Sequence, residues 1–117
     1  YCITNKLTDK IYVGQATNIH HRIKEHFRSS KDPRKSYYHL YAAITESGWD
    51  NFQIRILEKT NTARNLNDRE AFWMITLNSI YPNGYNSTNP FKRYKKYLER
   101  VLKTREHRPT NLTQGYI

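Results

Sequence analysis

At 117 residues and 14.1 kDa the chain has material for one domain and one modest core. Twenty Lys/Arg against ten Asp/Glu leave a net charge of +10 and a pI near 9.8, which points to a polyanionic partner, nucleic acid being the common one. The single Cys2 excludes an internal disulfide and a cysteine-built zinc site, and neither an apolar run of about 18 residues nor a basic amphipathic helix with a rich apolar face suggests a membrane.

No secretory signal is visible, so an intracellular location is expected; the start at Tyr1 without a Met reads as a fragment. The aromatics are skewed toward ten Tyr, rings with a hydroxyl that suit half-wet sites.

Residues 1–14 predict a hairpin, with Tyr1-Cys2-Ile3-Thr4 and Ile11-Tyr12-Val13-Gly14 flanking a polar stretch. Pairing Ile3 with Tyr12 sets Tyr1 opposite Gly14 and puts Tyr1, Ile3 and Tyr12 on one face. A helix follows from Asn18 to Arg28, capped by Thr17 or Asn18, with Ile19, Ile23 and Phe27 as its apolar stripe. Arg22 and His26 form a second stripe at the edge of the core. Ser29 to Lys35 reads as a basic loop, Tyr38 to Glu46 as a helix ending near Gly48, and Phe52 to Glu58 as a strand alternating Phe52, Ile54 and Ile56. A third helix spans Ala63 to Asn78, with Glu70 in the middle of the stripe Leu66, Trp73 and Leu77. Pro82-Asn83-Gly84 then turns the chain before Tyr85 and Asn86. From Phe91 onward eight Lys/Arg stand against two Glu.

Several of these residues carry two readings. Glu70 is either the third position of a capping box begun by Asn67, or a carboxylate kept ionised by a hard cation such as Mg²⁺. Arg22 and His26, one turn apart, are either a solvated face or a phosphate-binding pair. Tyr1 and Tyr12 are either packing or a reactive pair whose pKa, about 10 in isolation, falls beside cations. Asn86 by itself is an ordinary turn residue.

Taken in order, Tyr1 to Asn5, Tyr12-Val13-Gly14-Gln15, Asn18 to His26, Arg69-Glu70-Ala71-Phe72-Trp73 and Asn83-Gly84-Tyr85-Asn86 resemble the motif series of the GIY-YIG nuclease family, nearest to its homing endonucleases from phages and introns. The leading Gly-Ile of the first motif is absent, and the second reads Tyr-Val-Gly. The resemblance implies an α+β fold of the α/β class, a small three-stranded antiparallel sheet flanked by helices, over a nuclease domain of residues 1–90 with a basic tail at 91–117.

It further implies a metal-dependent DNA endonuclease leaving 5′-phosphate and 3′-hydroxyl ends. Tyr1 would be the general base or its helper, and Tyr12 would orient that network. Arg22 would meet charge on the phosphoryl oxygens, His26 would assist, and Asn86 would brace the site. Glu70 would hold one Mg²⁺ or Mn²⁺, and Gly14 would be needed small. Lys24, Lys31, Arg34, Lys35, Lys92, Arg93, Lys95 and Lys96 would contact duplex DNA, with a separate DNA-targeting domain as a further partner. The alternative is a non-catalytic DNA-binding module on the same fold.

Overall fold

The computed structural model describes residues 1–106. Strands β1 (Cys2–Asn5), β2 (Ile11–Val13) and β3 (Phe52–Arg55) form an antiparallel sheet in the order β2-β1-β3. Helices α1 (Ile19–Ser30) and α2 (His39–Ser47) lie between β2 and β3 in sequence, and α3 (Ala63–Thr76) and α4 (Phe91–Glu106) follow.

The hairpin register is the one assumed from the sequence. Ile3 pairs with Tyr12, and the Tyr1 amino group donates to the Gly14 carbonyl (3.1 Å) while Gly14 N–H donates back to Tyr1 (3.0 Å). Alternation sends Tyr1, Ile3 and Tyr12 to one face, where they meet Leu40, Tyr41 and Ile44 of α2 and Ile19 and Ile23 of α1. Cys2 and Val13 point the other way, against Trp73, Met74 and Leu77. The sheet is therefore covered by α1 and α2 on one side and by α3 on the other. Asn18 caps α1 by accepting from His21 N–H (3.0 Å), Thr62 caps α3 by accepting from Asn65 N–H, and Gly48, at φ +86°, ends α2.

Three expectations are corrected. The third strand stops at Arg55, short of Glu58, and leaves Ile56 54% exposed. The chain turns away there because Leu57 is drawn under α3 and Glu58 accepts from the Trp73 indole (3.0 Å). The Ser29 to Lys35 loop is partly helical: α1 runs to Ser30, and Pro33–Lys35 forms a 3₁₀ turn whose first N–H groups Asp32 caps. On α3 the deepest positions are Ala71 and Met74; Trp73 and Leu77 are only partly buried.

The described part of the basic segment after residue 90 is one helix lying along α3; residues 107–117 fall outside the described residues. Arg69 ties the two helices, donating to both Glu58 oxygens (2.9 and 3.0 Å) and to the Tyr97 hydroxyl (2.8 Å). Among the described residues no helix is long and apolar enough to cross a membrane.

Candidate active site

His26 is the hub of the site. It lies on the inner side of α1, 1% exposed, with Nε2 2.6 Å from the Tyr1 hydroxyl and Nδ1 3.0 Å from the Tyr41 hydroxyl. Tyr12 meets the same ring edge-on at 5.4 Å. Burial, with the positive charge of Arg22, pulls the imidazole pKa down to about 4, so the ring is neutral at physiological pH. A neutral imidazole keeps one donor and one acceptor nitrogen, so the three side chains form a directional hydrogen-bond chain. The edge-of-core position expected for His26 is corrected: it is in the core, whereas Phe27 is 36% exposed and packs against Trp49. Two phenols supply the hydrogen-bond partners that a buried imidazole requires.

Arg22, one turn earlier, hydrogen-bonds Glu25 (2.8 Å), and its positive charge acts on both Tyr1 and Tyr12. Arg22 does pull the phenol pKa values down, but the expectation that they fall below their ordinary value is overturned. Burial raises both, and the pull of Arg22 offsets only part of it, so both phenols are neutral in the free protein. Gly14 is small for a visible reason: a Cβ there would stand 2.5 Å from the Tyr1 hydroxyl oxygen and 2.9 Å from the Tyr12 ring.

Facing these groups is a cleft of about 630 Å³, lined by Tyr12, Arg22, His26, Glu70 and Asn86 among others. Five of the six expected catalytic residues thus share one cavity, and the sixth, Tyr1, sits behind it on His26. Glu70 projects from α3, half-buried. Burial pushes its carboxyl pKa up, against a hydrogen bond from Gln15 and the charges of the amino terminus, Arg93 and Arg22. Among the described residues it makes no ion pair. The capping-box reading fails because α3 is capped by Thr62, which leaves Asn67 inside the helix, where it accepts from Gln15 (2.6 Å).

Among the described residues no three His, Cys, Asp or Glu gather as a ready-made metal cage. The donor chemistry nevertheless fits a hard divalent cation. An unpaired carboxylate oxygen on an open cleft can serve Mg²⁺, which keeps several waters and completes its shell with phosphate.

Asn86 is 6% exposed and clasps the outer edge of β2, accepting from Val13 N–H and donating to Val13 C=O, both at 2.9 Å. The turn before it requires Gly84, since a Cβ there would run into the backbone of Ser79 and Ile11. The expected DNA contacts scatter more widely. Lys35 lines the cleft beside Ser29, whereas Arg34 is engaged with both oxygens of Asp32 and Lys31 lies 4.1 Å above the Phe27 ring. Lys24 belongs to a separate surface with Phe27 and Trp49. Lys92, Arg93, Lys95 and Lys96 are exposed on α4.

Sequence reasoning missed Tyr41, Gln15, Glu25 and Asp68. A signal existed for Tyr41, a phenol on the buried Leu40–Ile44 face of α2 that had to find a polar partner. Glu25 carried a local signal too, standing three residues after Arg22 on α1, whereas Gln15 and Asp68 depend on contacts between distant segments.

The GIY-YIG catalytic domain matches residues 1–86. Intron-associated endonuclease 1 of Enterobacteria phage T4 is 34% identical over 116 residues, an alignment covering 90% of this chain and 44% of that protein, so the chain spans less than half its relative's length. The structure of the catalytic domain of homing endonuclease I-TevI superposes with a TM-score of 0.67 at 32% identity, covering 75% of this chain and 95% of that one. A mutant of the catalytic domain of intron endonuclease I-TevI gives the same score and identity, with 75% and 90% covered. With the motif residues assembled on one cleft and the match running through Asn86, the chain belongs to the GIY-YIG family, as an endonuclease catalytic domain.

Proposed function

We propose that the chain hydrolyses phosphodiester bonds of duplex DNA, as the catalytic part of a homing-type endonuclease, leaving 5′-phosphate and 3′-hydroxyl ends. The observation that carries this reading is the meeting, on one cleft, of a guanidinium, a neutral imidazole–phenol chain and a carboxylate with no ion pair. The net charge of +10 and the homing-endonuclease relatives support DNA as the substrate, which also fits an intracellular setting. Because the T4 relative is more than twice as long, target selection is assigned to a domain outside this one.

Glu70 holds one Mg²⁺ or Mn²⁺, which when bound supplies Lewis-acid charge neutralisation at the phosphate. Arg22, fixed by Glu25, turns its remaining N–H groups to the non-bridging oxygens as their charge grows. Both phenols are neutral in the free protein, so no phenolate waits as a base. Tyr1 therefore takes the proton of the attacking water while passing its own to Nε2 of His26, whose Nδ1–H donates to Tyr41; the P–O3′ bond breaks as the water oxygen bonds to phosphorus, and solvent protonates the departing 3′ oxygen. Tyr12 orients the water, and Asn86 holds the end of β2 in place.

Nicking of supercoiled plasmid in Mg²⁺ tests the reading. Wild type should nick, and Glu70→Ala should lose about three orders of magnitude or more. Equal nicking by the two would remove Glu70 from the chemistry, and none by either at any protein concentration would leave a non-catalytic DNA-binding module.

A further inference from the structure

Helix α4 lies beyond the matched segment 1–86, yet it is fastened to the helix that carries Glu70. Tyr97 accepts from Arg69 (2.8 Å), Tyr94 packs near Phe72, and Arg100 donates to the Asp68 carboxylate. These contacts flank Glu70 in sequence and fix where α4 places its other side chains. Asp68 has a side chain only 8% exposed, and a carboxylate that dry requires a cation. Arg100 meets that need at close range. Arg93 reaches the same carboxylate only at 4.0 Å, with its side chain 56% exposed. The second guanidinium is thus loosely held, on a residue of α3 only two positions from Glu70.

We propose that Arg93 is a substrate-phosphate contact of this active site, presented by α4 and resting on Asp68 until DNA arrives. The inference rests on the nuclease reading of the cleft and adds to it a DNA contact from outside the matched segment. On binding, Arg93 swings from Asp68 to a phosphate oxygen of the strand engaged at Glu70, and Arg100 stays behind to keep Asp68 neutralised. The fork geometry of the guanidinium suits a phosphate, and the long contact to Asp68 costs little to leave.

The test is binding of a short fluorescent duplex in buffer containing EDTA, with the salt concentration varied, so that it needs no metal and no turnover. Arg93→Gln should weaken binding about tenfold and lower the slope of log affinity against log salt by about 0.9, the value for one phosphate that the protein no longer neutralises. Arg93→Lys should keep the wild-type slope. If Arg93→Gln unfolds, Arg93→Met, which keeps an aliphatic stem, takes its place. An unchanged slope in a folded neutral variant overturns the proposal and leaves Arg93 as an accessory anchor of α4. Plasmid nicking by the wild type is scored separately: if the wild type nicks and the neutral variant keeps its slope, only the role of Arg93 fails.

Discussion

The two walls of the cleft satisfy their polar groups in different ways. On the wall built by the hairpin, α1 and α2, each partner lies inside the protein: Tyr1, His26 and Tyr41 bond in series, Arg22 is held by Glu25, and Asn86 clasps Val13. On the α3 wall Glu70 is half-buried without an ion pair among the described residues, although its neighbours Asp68 and Arg69 are locked to Arg100, Glu58 and Tyr97. One wall is complete before substrate arrives; the other is completed by what binds. That asymmetry suits a nuclease with one acidic ligand, because a cation sharing a single carboxylate binds weakly until phosphate joins it.

The largest effect that would break this comparison is at Arg22. If its charge serves the transition state, Arg22→Ala should lower kcat by about 10²–10³ while duplex affinity falls only slightly. Single-turnover cleavage and equilibrium binding check this together. A large loss of affinity with cutting intact would place Arg22 among the ordinary backbone contacts.

A smaller effect sharpens the contrast through pH. His26 titrates near 4 in the folded protein and near its ordinary 6.5 when unfolded. As pH falls from 6.5 toward 4 the unfolded chain binds a proton that the folded chain refuses. The stability contributed by neutral His26 is therefore full above about 6.5 and is lost across that window, at up to about 1.4 kcal/mol per pH unit, levelling off below 4. His26→Gln lacks this component. Denaturant titrations from pH 7 to 4 should show the wild type losing its advantage over the variant, and parallel profiles would contradict a buried neutral imidazole.

The same asymmetry governs what could be read from sequence. Strand alternation reported which hairpin residues share a face, because a two-residue period leaves little choice, while the Ile3–Tyr12 register was an assumption that the structure matches. The start of α1 was legible in Asn18 and the end of α2 in Gly48, both local signals. The burial of His26 was not: a periodicity argument counts His as polar and prefers Phe27, whereas the fold supplies Tyr1 and Tyr41 from segments 25 and 15 residues away. Glu70 stood out in sequence as a carboxylate on an apolar stripe and is half-buried, but the stripe around it was misjudged, since α3 turns Ala71 and Met74 most deeply inward. The lock between Asp68 and Arg100, 32 residues apart, leaves no local signature.

The claim on which the account depends is that Glu70, half-buried and without an ion pair among the described residues, is where a cation binds. Thermal unfolding of wild type and Glu70→Gln at pH 7, with and without Mg²⁺, tests it most directly. Burial raises the folded-state pKa of Glu70, so the ionised group costs stability at pH 7 and the cost vanishes below its ordinary pKa. Without metal, Glu70→Gln should therefore melt a few degrees, ~2–5 °C, above the wild type, and Mg²⁺ should raise the wild type alone. A metal-free wild type that melts above Glu70→Gln, with Mg²⁺ moving both equally, would show that the protein already satisfies the carboxylate and would remove the basis for a cation there.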